Sequence, residues 1–362
     1  MRLVYANAEY KNNSAEGGPA HMRQFIENAT ALGHEIFLWH GIDPHPMTKP
    51  VPNGTLRQLK LFRSVDLIYY RIEAVPPRGA RVILPPHRRF AGTPLIAWEF
   101  NTVPEYGRLY GITEEGVRAC IAELKRLAPG VDLAVCVSKK ISEYVKDNLG
   151  IRRTVVIPNG SDPELFKPGL RPVRRLVKRE GQLDVVWIGS ANVVWHNFGL
   201  LRDAAWSIWN KGEGDKIVFH VIGPGMKEMR DLPPNVNYYG PEEYPRLPNW
   251  LSGMDVGLNV YRSGPADYSS PLKVFDYMAS GLTVVSTEHP QAREIMEQLG
   301  QTDLLIPVDD PELLANALRK LDADRDRVHR QGIAGRQLVI DRYNWRHAVS
   351  ETFAELERLR SR

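Results

Sequence analysis

Short apolar runs alternate along this chain with longer segments whose apolar residues recur every three to four positions. Near the start, "RLVYA" is continuously apolar, as a strand covered on both faces would be. "AHMRQFIENATALG" then has helical spacing, and "HEIFLW" returns to the strand pattern. The alternation predicts further strands at "DLIYY" (66–70), "PLIAWEF" (94–100), "DLAVCVS" (132–138) and "TVVIP" (154–158). It pauses over a proline- and arginine-rich stretch, 163–180, and restarts with "LDVVWIG" (183–189) and "KIVFHVIG" (216–223). "NVNYYG" (235–240), "DVGLNVY" (255–261), "LTVVST" (282–287) and "DLLIPV" (303–308) come next. Repeated strand–helix alternation predicts parallel sheets with helices on both faces, and two blocks around a linker predict two doubly wound α/β domains. Their spans are 1–170 and 171–345, with a terminal helix, 346–362, packing back on the first. The tail "DRYNWRHAVSETFAELERLRSR" reads as one or two helices with Trp345 available to pack. At 362 residues, two cores are also the better expectation than one. Ligands of such sheets sit at the carboxyl ends of the strands, which for two facing domains means the cleft between them.

Composition narrows the partners. With 47 Lys+Arg against 43 Asp+Glu the charge is nearly balanced, so a nucleic-acid partner is not indicated. Local basic clusters, "HRRF" (87–90), "SKK" (138–140) and "KPGLRPVRRLVKRE" (167–180), suit solvated surface or a rim attracting anionic lipid or substrate. Cys120 and Cys136 are the only cysteines and fit a reducing compartment without disulfides or a zinc site. The N-terminus lacks the apolar core of a signal peptide, and no run approaches 18 apolar residues. The expected location is the cytoplasm, at most peripheral at the inner face of the membrane.

One stretch, "SSPLKVFDYMASGLTVVST" (269–287), asks for more than structure. Ser270 suits a helix N-cap, Pro271 the first helical position, and Gly281 a C-terminal stop. Val274, Phe275 and Met278 supply an apolar side. Lys273, however, falls in the first turn, where the helix dipole disfavours a cation unless an anion is also there. Asp276 is one turn on, where a carboxylate could accept both hydroxyls of a ribose. The pair suits a nucleoside diphosphate; an N-capped amphipathic helix with an exposed Lys–Asp pair is the alternative. In "NSAEGGPAHM" (13–22), Gly17 and Gly18 free the backbone to approach a ligand and Pro19 can start a helix, although a plain tight turn fits equally. His21 suits a core or cap histidine. "NGSD" (159–162) is a turn, with Asp162 able to cap the segment after it. The acidic pairs at 309–310 and 322–324 suit helix caps better than a metal.

Taken together, the GG loop, "VS" (137–138), "PNGSD…F" (158–166), "WIGS" (187–190), "HVIGPG" (220–225), "NVNYYG" and the 269–287 stretch resemble the family-four retaining glycosyltransferases, or glycosyl transferases group 1. The resemblance is strong from 131 to 345 and thin from 50 to 130. It implies the GT-B fold, with two doubly wound Rossmann-like domains facing across a cleft. It also implies a nucleotide-sugar co-substrate, UDP- or GDP-linked, with no other cofactor and no metal, and a glycan, lipid-linked or small-molecule acceptor.

By residue, the resemblance places Ser270, Leu272 and Lys273 on the donor diphosphate and Asp276 on the ribose. Gly17 and Gly18 fall on the diphosphate and transferred sugar, and Gly240 and Pro241 beside the nucleobase. The family's first glutamate is replaced by Tyr268, with Asp267 adjacent, so Lys273, Asp267 and Tyr268 are the catalytic candidates. Its usual Arg and Lys are replaced at matching spacing by Ser190 and His196, leaving Lys273 as the main cation, with help from His196 or a helix start near Asn197. Glu99 and Asn101, the latter where the family has a histidine, point toward the cleft on the acceptor or sugar side. These departures keep two other readings open: a non-catalytic sugar-nucleotide-binding protein, and a GT-B epimerase or phosphorylase.

Overall fold

The computed structural model describes residues 1–6, 17–39, 44–72, 94–176, 179–225, 227 and 230–361. Residues 13–16 of the glycine loop, the basic cluster 87–90 and positions 177–178 of the arginine-rich stretch lie outside the described residues. The chain divides into two units.

The first unit comprises Met1–Asn159, Tyr268–Ser270 and Trp345–Arg362. Its strands are β1 (Arg2–Ala6), β2 (Glu35–Trp39), β3 (Lys49–Pro50), β4 (Leu67–Ile72), β5 (Leu95–Phe100), β6 (Leu133–Cys136) and β7 (Thr154–Val156). They form one parallel sheet in the order β3-β2-β1-β4-β5-β6-β7. Alternate residues serve opposite faces. Val4, Tyr70, Trp98, Phe100 and Cys136 face one core. Leu3, Tyr5, Tyr69, Ala97 and Val135 face the other, which takes Phe25 and Ile26 from helix Gly17–Ala31 and Val349, Phe353 and Leu356 from helix Trp345–Arg360. Burial on both faces is why these strands read as continuous apolar runs. Helix Gly17–Ala31 begins at Gly17, two residues before the expected Pro19. Both cysteines are free and buried.

The second unit comprises Gly160–Asp267 and Pro271–Asn344. Its strands β8 (Leu183–Ile188), β9 (Ile217–Ile222), β10 (Val236–Tyr238), β11 (Val256–Asn259), β12 (Thr283–Thr287) and β13 (Leu305–Ile306) form a second parallel sheet. The order is β10-β9-β8-β11-β12-β13. Strand succession runs one way from β8 and the other way from β11, so the topological switch point lies between these two strands. The chain changes unit at 159/160 rather than at 170/171. The cause is local: Ser161 N–H donates to the Tyr343 carbonyl at 3.0 Å, and Phe166 is fully buried against Tyr244. Arg336 donates to the carbonyls of Pro163 and Phe166 at 3.1 and 2.9 Å. Residues 160–166, which include the start of the proline-rich stretch, are therefore anchored to the second unit.

Candidate functional site

In the second unit the switch point is where the predicted motif lands. Helix Leu272–Ala279 comes after β11, and its C-terminus is closed as expected. Gly281 adopts a φ of 80° and Leu282 N–H reaches back to the Tyr277 carbonyl. Its N-terminus differs. Pro271, not Ser270, occupies the N-cap, no side chain caps the helix, and Leu272 opens it. Ser270 belongs to the first unit, where its hydroxyl accepts from Asn159 N–H at 3.0 Å and its carbonyl from the Asn159 amide at 2.7 Å. Its oxygens are committed there and unable to serve as the cap.

Lys273, in the first turn, runs its ammonium between the ends of β8 and β11. The Nζ lies 5.2 Å from the centre of the Trp187 ring and 4.9 Å from that of Tyr261. A Cβ placed on Gly189 would come 2.7 Å from the Trp187 ring and 3.1 Å from the Nζ, so a side chain there would crowd both. The Nζ is buried with no hydrogen-bond acceptor among the described residues. Aromatic faces attract a cation but return only about 0.5–2 kcal/mol. Burial accordingly pulls the Lys273 pKa from 10.5 down to about 7. A buried cation with no anion beside it is an incomplete ion pair, and a phosphate would complete it.

Asp276, one turn on, is 5% exposed, and its two hydrogen bonds end on the same oxygen. Ser161 Oγ donates to Oδ1 at 2.6 Å and Tyr244 OH approaches it at 3.4 Å. Burial drives the Asp276 pKa up to about 7, with the Ser161 and Tyr244 hydrogen bonds opposing the rise. Lys273 and Asp276 are not an ion pair, and the exposed Lys–Asp alternative fails because both charged ends are buried.

The loops around Lys273 are pressed together. Gly189 N–H donates to the Ile222 carbonyl at 3.0 Å and Ala191 N–H to the Pro224 carbonyl at 2.9 Å. At Gly223, φ is +140° and a Cβ would fall 1.8 Å from the Gly189 carbonyl oxygen, so only glycine fits. Gly223 N–H in turn donates to the carbonyl of Gly240, which adopts φ +79° ahead of the exposed Pro241. Ser190 exchanges backbone contacts with His196 Nδ1 at 3.0 and 3.2 Å. Burial, with the charge of Lys273 adding to it, pushes the His196 pKa down to about 3. His196 is therefore neutral and does not supply the second cation expected of it. Asn197 takes a left-handed conformation, with a φ of 48°, before helix Phe198–Asn210, and its amide donates to the Val308 carbonyl at 2.7 Å. It is a structural anchor at this point.

The remaining candidates are distributed between the units. Asp267 ends the second unit's stretch in a 3-10 turn, Pro265–Tyr268. Tyr268 belongs to the first unit, its ring edge-on to Tyr144 at 6.1 Å and its carbonyl accepting from Ser138 Oγ at 2.7 Å. Gly17 and Gly18 form the first helical turn beside the switch point between β1 and β4. A Cβ on Gly18 would lie 3.8 Å from the Arg71 guanidinium.

Glu99 does not reach open space as expected. It is 2% exposed and bonds Tyr5 OH at 3.0 Å, Arg71 at 3.4 Å and His21 Nε2. Burial opposes its ionisation, yet His21, Arg71 and Tyr5 outweigh that and hold its pKa at about 2. His21 also contacts Asn159 Oδ1 at 2.8 Å, a buried bridging role in keeping with a core histidine. Asn101 keeps an amide nitrogen buried without a hydrogen-bond partner among the described residues. Asp310 and Asp324 cap helices Pro311–Ala323 and Arg325–Asp341, as expected of the acidic pairs. Asp162 accepts from Glu164 N–H at 2.9 Å, closing its turn.

Sequence reasoning passed over Trp187, Tyr261, Ser161 and Tyr244. Trp187 lies two residues before the end of its predicted strand run and Tyr261 closes its own, and aromatic residues near adjacent strand ends beside a first-turn lysine were the available signal. Nothing local marks Tyr244, which is brought to Asp276 by the packing of Phe166. Among the described residues no helix is long and apolar enough to cross a membrane.

The profile of the family described as Glycosyl transferases group 1 matches residues 182–324. A putative teichuronic acid biosynthesis glycosyltransferase, TuaH, of Bacillus subtilis is 25% identical over 187 residues, 49% of this chain and 45% of that protein. A GDP-mannose-dependent alpha-(1-6)-phosphatidylinositol monomannoside mannosyltransferase of Mycobacterium tuberculosis is 25% identical over 335 residues, 89% of this chain and 83% of that protein. Among solved structures, sucrose-phosphate synthase from Thermosynechococcus elongatus superposes with a TM-score of 0.73 at 16% identity, covering 100% of this chain and 99% of that one. The two parallel sheets are the Rossmann-like halves of a GT-B fold.

Proposed function

We propose that this chain, whose residues 182–324 match the family described as Glycosyl transferases group 1, moves a hexose-type sugar from a nucleoside diphosphate donor to a glycan, lipid-linked or small-molecule acceptor, with retention at the anomeric carbon. The observation that carries the donor side is the buried Lys273 ammonium, which lacks an anion at an uncapped helix start. Lys273 and the amides of Leu272 and Lys273 hold the diphosphate, and Asp276 takes the ribose. Ser190 and the Gly240–Pro241 turn border the same strand ends. Breaking the anomeric C–O bond leaves negative charge on the diphosphate. Fixed donors aimed at that charge stabilise the transition state, and losing one costs on the order of 3–4 kcal/mol. The acceptor hydroxyl forms the new C–O bond on the same face of the sugar and passes its proton to the departing phosphate oxygen. Gly17, Gly18 and Asn101, with its unpartnered amide, are assigned to the sugar and acceptor side. Glu99 supports the helix start from below.

Thermal melts with UDP, GDP, ADP and TDP test the donor site, since a nucleotide at 100 times its dissociation constant adds about 2.7 kcal/mol. Incubation with UDP- and GDP-sugars, then anomeric proton NMR of the early product, tests transfer and stereochemistry. No melting shift with any nucleotide would overturn the donor site, and an inverted product would overturn retention. Transfer is expected to survive chelator.

A further inference from the structure

We propose that Ser161, seconded by Tyr244, is the positioning residue that turns Asp276 to meet the donor's ribose with one carboxylate oxygen, and so sets a preference for ribonucleotides over deoxyribonucleotides. This rests on the donor reading above. Ser161 is fully buried, its backbone pinned by the bond from its N–H to the Tyr343 carbonyl and by a bridge to Asn344. Its hydroxyl therefore has little freedom, and it meets Asp276 Oδ1 at 2.6 Å. Tyr244, 5% exposed with its ring against Phe166, brings a second hydroxyl to the same oxygen at 3.4 Å. Among the described residues Oδ2 receives no hydrogen bond and no cation pairs with the carboxylate. One oxygen is thus filled by the protein and the other left for a ligand.

Two consequences separate this arrangement from a carboxylate that is merely buried. An aspartate has one torsion fewer than a glutamate, and a clamp on Oδ1 fixes the one that aims Oδ2. An acceptor with a fixed direction also disfavours a ligand that lacks the matching hydroxyl, because the hydrogen bond it offers is then not made by the ligand. The raised Asp276 pKa, caused by burial, agrees with a carboxylate to which the protein itself supplies hydrogen bonds on one oxygen only.

The test is calorimetric titration with UDP or GDP, whichever shifts the wild-type melt, and with its 2′-deoxy and 3′-deoxy counterparts. Wild type is expected to bind the ribonucleotide at least tenfold more tightly than the weaker of the two deoxy forms. Ser161→Ala should bring that ratio below about threefold, Tyr244→Phe should lower it in part, and Ser161→Thr should restore it. Asp276→Asn should also bring it near one. A purely structural Ser161 would weaken ribo- and deoxyribonucleotides together and leave the ratio intact. If Ser161→Ala does not fold, Ser161→Cys keeps the volume with a weak donor and gives the same readout. A wild-type ratio near one, or a Ser161→Ala ratio that stays at the wild-type value while Asp276→Asn loses it, overturns the proposal and leaves the donor site standing. Absence of any nucleotide binding to the wild type overturns both.

Discussion

Replacing Lys273 by methionine should make the protein more stable and less able to hold a nucleotide. The side chain keeps nearly the same length and shape against Trp187 and Tyr261, and only the charge is removed. Burial lowers the Lys273 pKa from 10.5 to about 7. At about 1.4 kcal/mol per pKa unit, the ceiling on the cost of that buried charge is about 5 kcal/mol. Lys273 is half-buried as a residue, so roughly half that ceiling is the better figure, about 2 kcal/mol. The ring contacts given up offset about 1 kcal/mol. A net gain of about 1–2 kcal/mol corresponds to a melting point raised by roughly 2–8 °C for a domain of this size.

The sign with pH is fixed. The folded pKa lies below the unfolded one, so the unfolded chain binds more protons between pH 7 and 10.5. Wild-type stability should therefore rise with pH through that window, and the penalty is fully present below pH 7. The methionine variant should lose that slope, its advantage being largest in acid and gone by pH 10.5. Calorimetric melts at pH 6, 7.5 and 9, with and without saturating UDP and GDP, read both quantities. A variant that melts lower than wild type at every pH, or that keeps the full nucleotide-induced shift, refutes the reasoning.

Three further expectations use other parts of the molecule. Gly223→Ala should destabilise by roughly 3 kcal/mol, because its Cβ meets the Gly189 carbonyl in addition to the strain of its φ. Gly240→Ala should cost only about 1–2 kcal/mol, for its positive φ alone, and equal melting drops would contradict the close approach. Nucleotide affinity should peak near pH 7, falling in acid as Asp276 takes up a proton and in base as Lys273 loses one, and Asp276→Asn should abolish the acid limb in a titration series. Glu99→Gln should cost about 3 kcal/mol by removing the buried counter-charge that Arg71 and His21 meet. Because the folded Glu99 pKa is near 2, its contribution is present above pH 4.5 and lost as pH falls toward 2, so the variant's acid unfolding curve should be flatter.

Much of this architecture was readable from spacing. Among the described residues every strand but Lys49–Pro50 overlaps a segment the spacing read as a strand, and that pair is exposed at both positions, so no apolar run marks it. Lys273 stood out because a cation in the first turn conflicts with the helix dipole, a local conflict visible without coordinates. What could not be read was anything set by contacts distant in sequence. Ser270 looks like a cap until Asn159, 111 residues away, takes its oxygens. Glu99 alternates toward a strand's open end but is met there by Arg71 and His21. His196 stands at the position of a cation and is neutral because of its burial, which no spacing reveals.

The make-up of the first unit has a bearing on how the chain matures. Its second core is closed by Val349, Phe353 and Leu356, and Arg360 reaches Asp66 at 3.1 Å, so a helix made after the second unit completes the unit that Met1–Asn159 begins. During synthesis the strands of Met1–Asn159 emerge with Phe25 and Tyr69 lacking their cover, and stay so until the ribosome has finished the other unit. The customary N-terminal-first order of co-translational folding is thus reversed. A chain cut just before Trp345 should keep the second unit intact and leave the first open to aggregation or proteolysis.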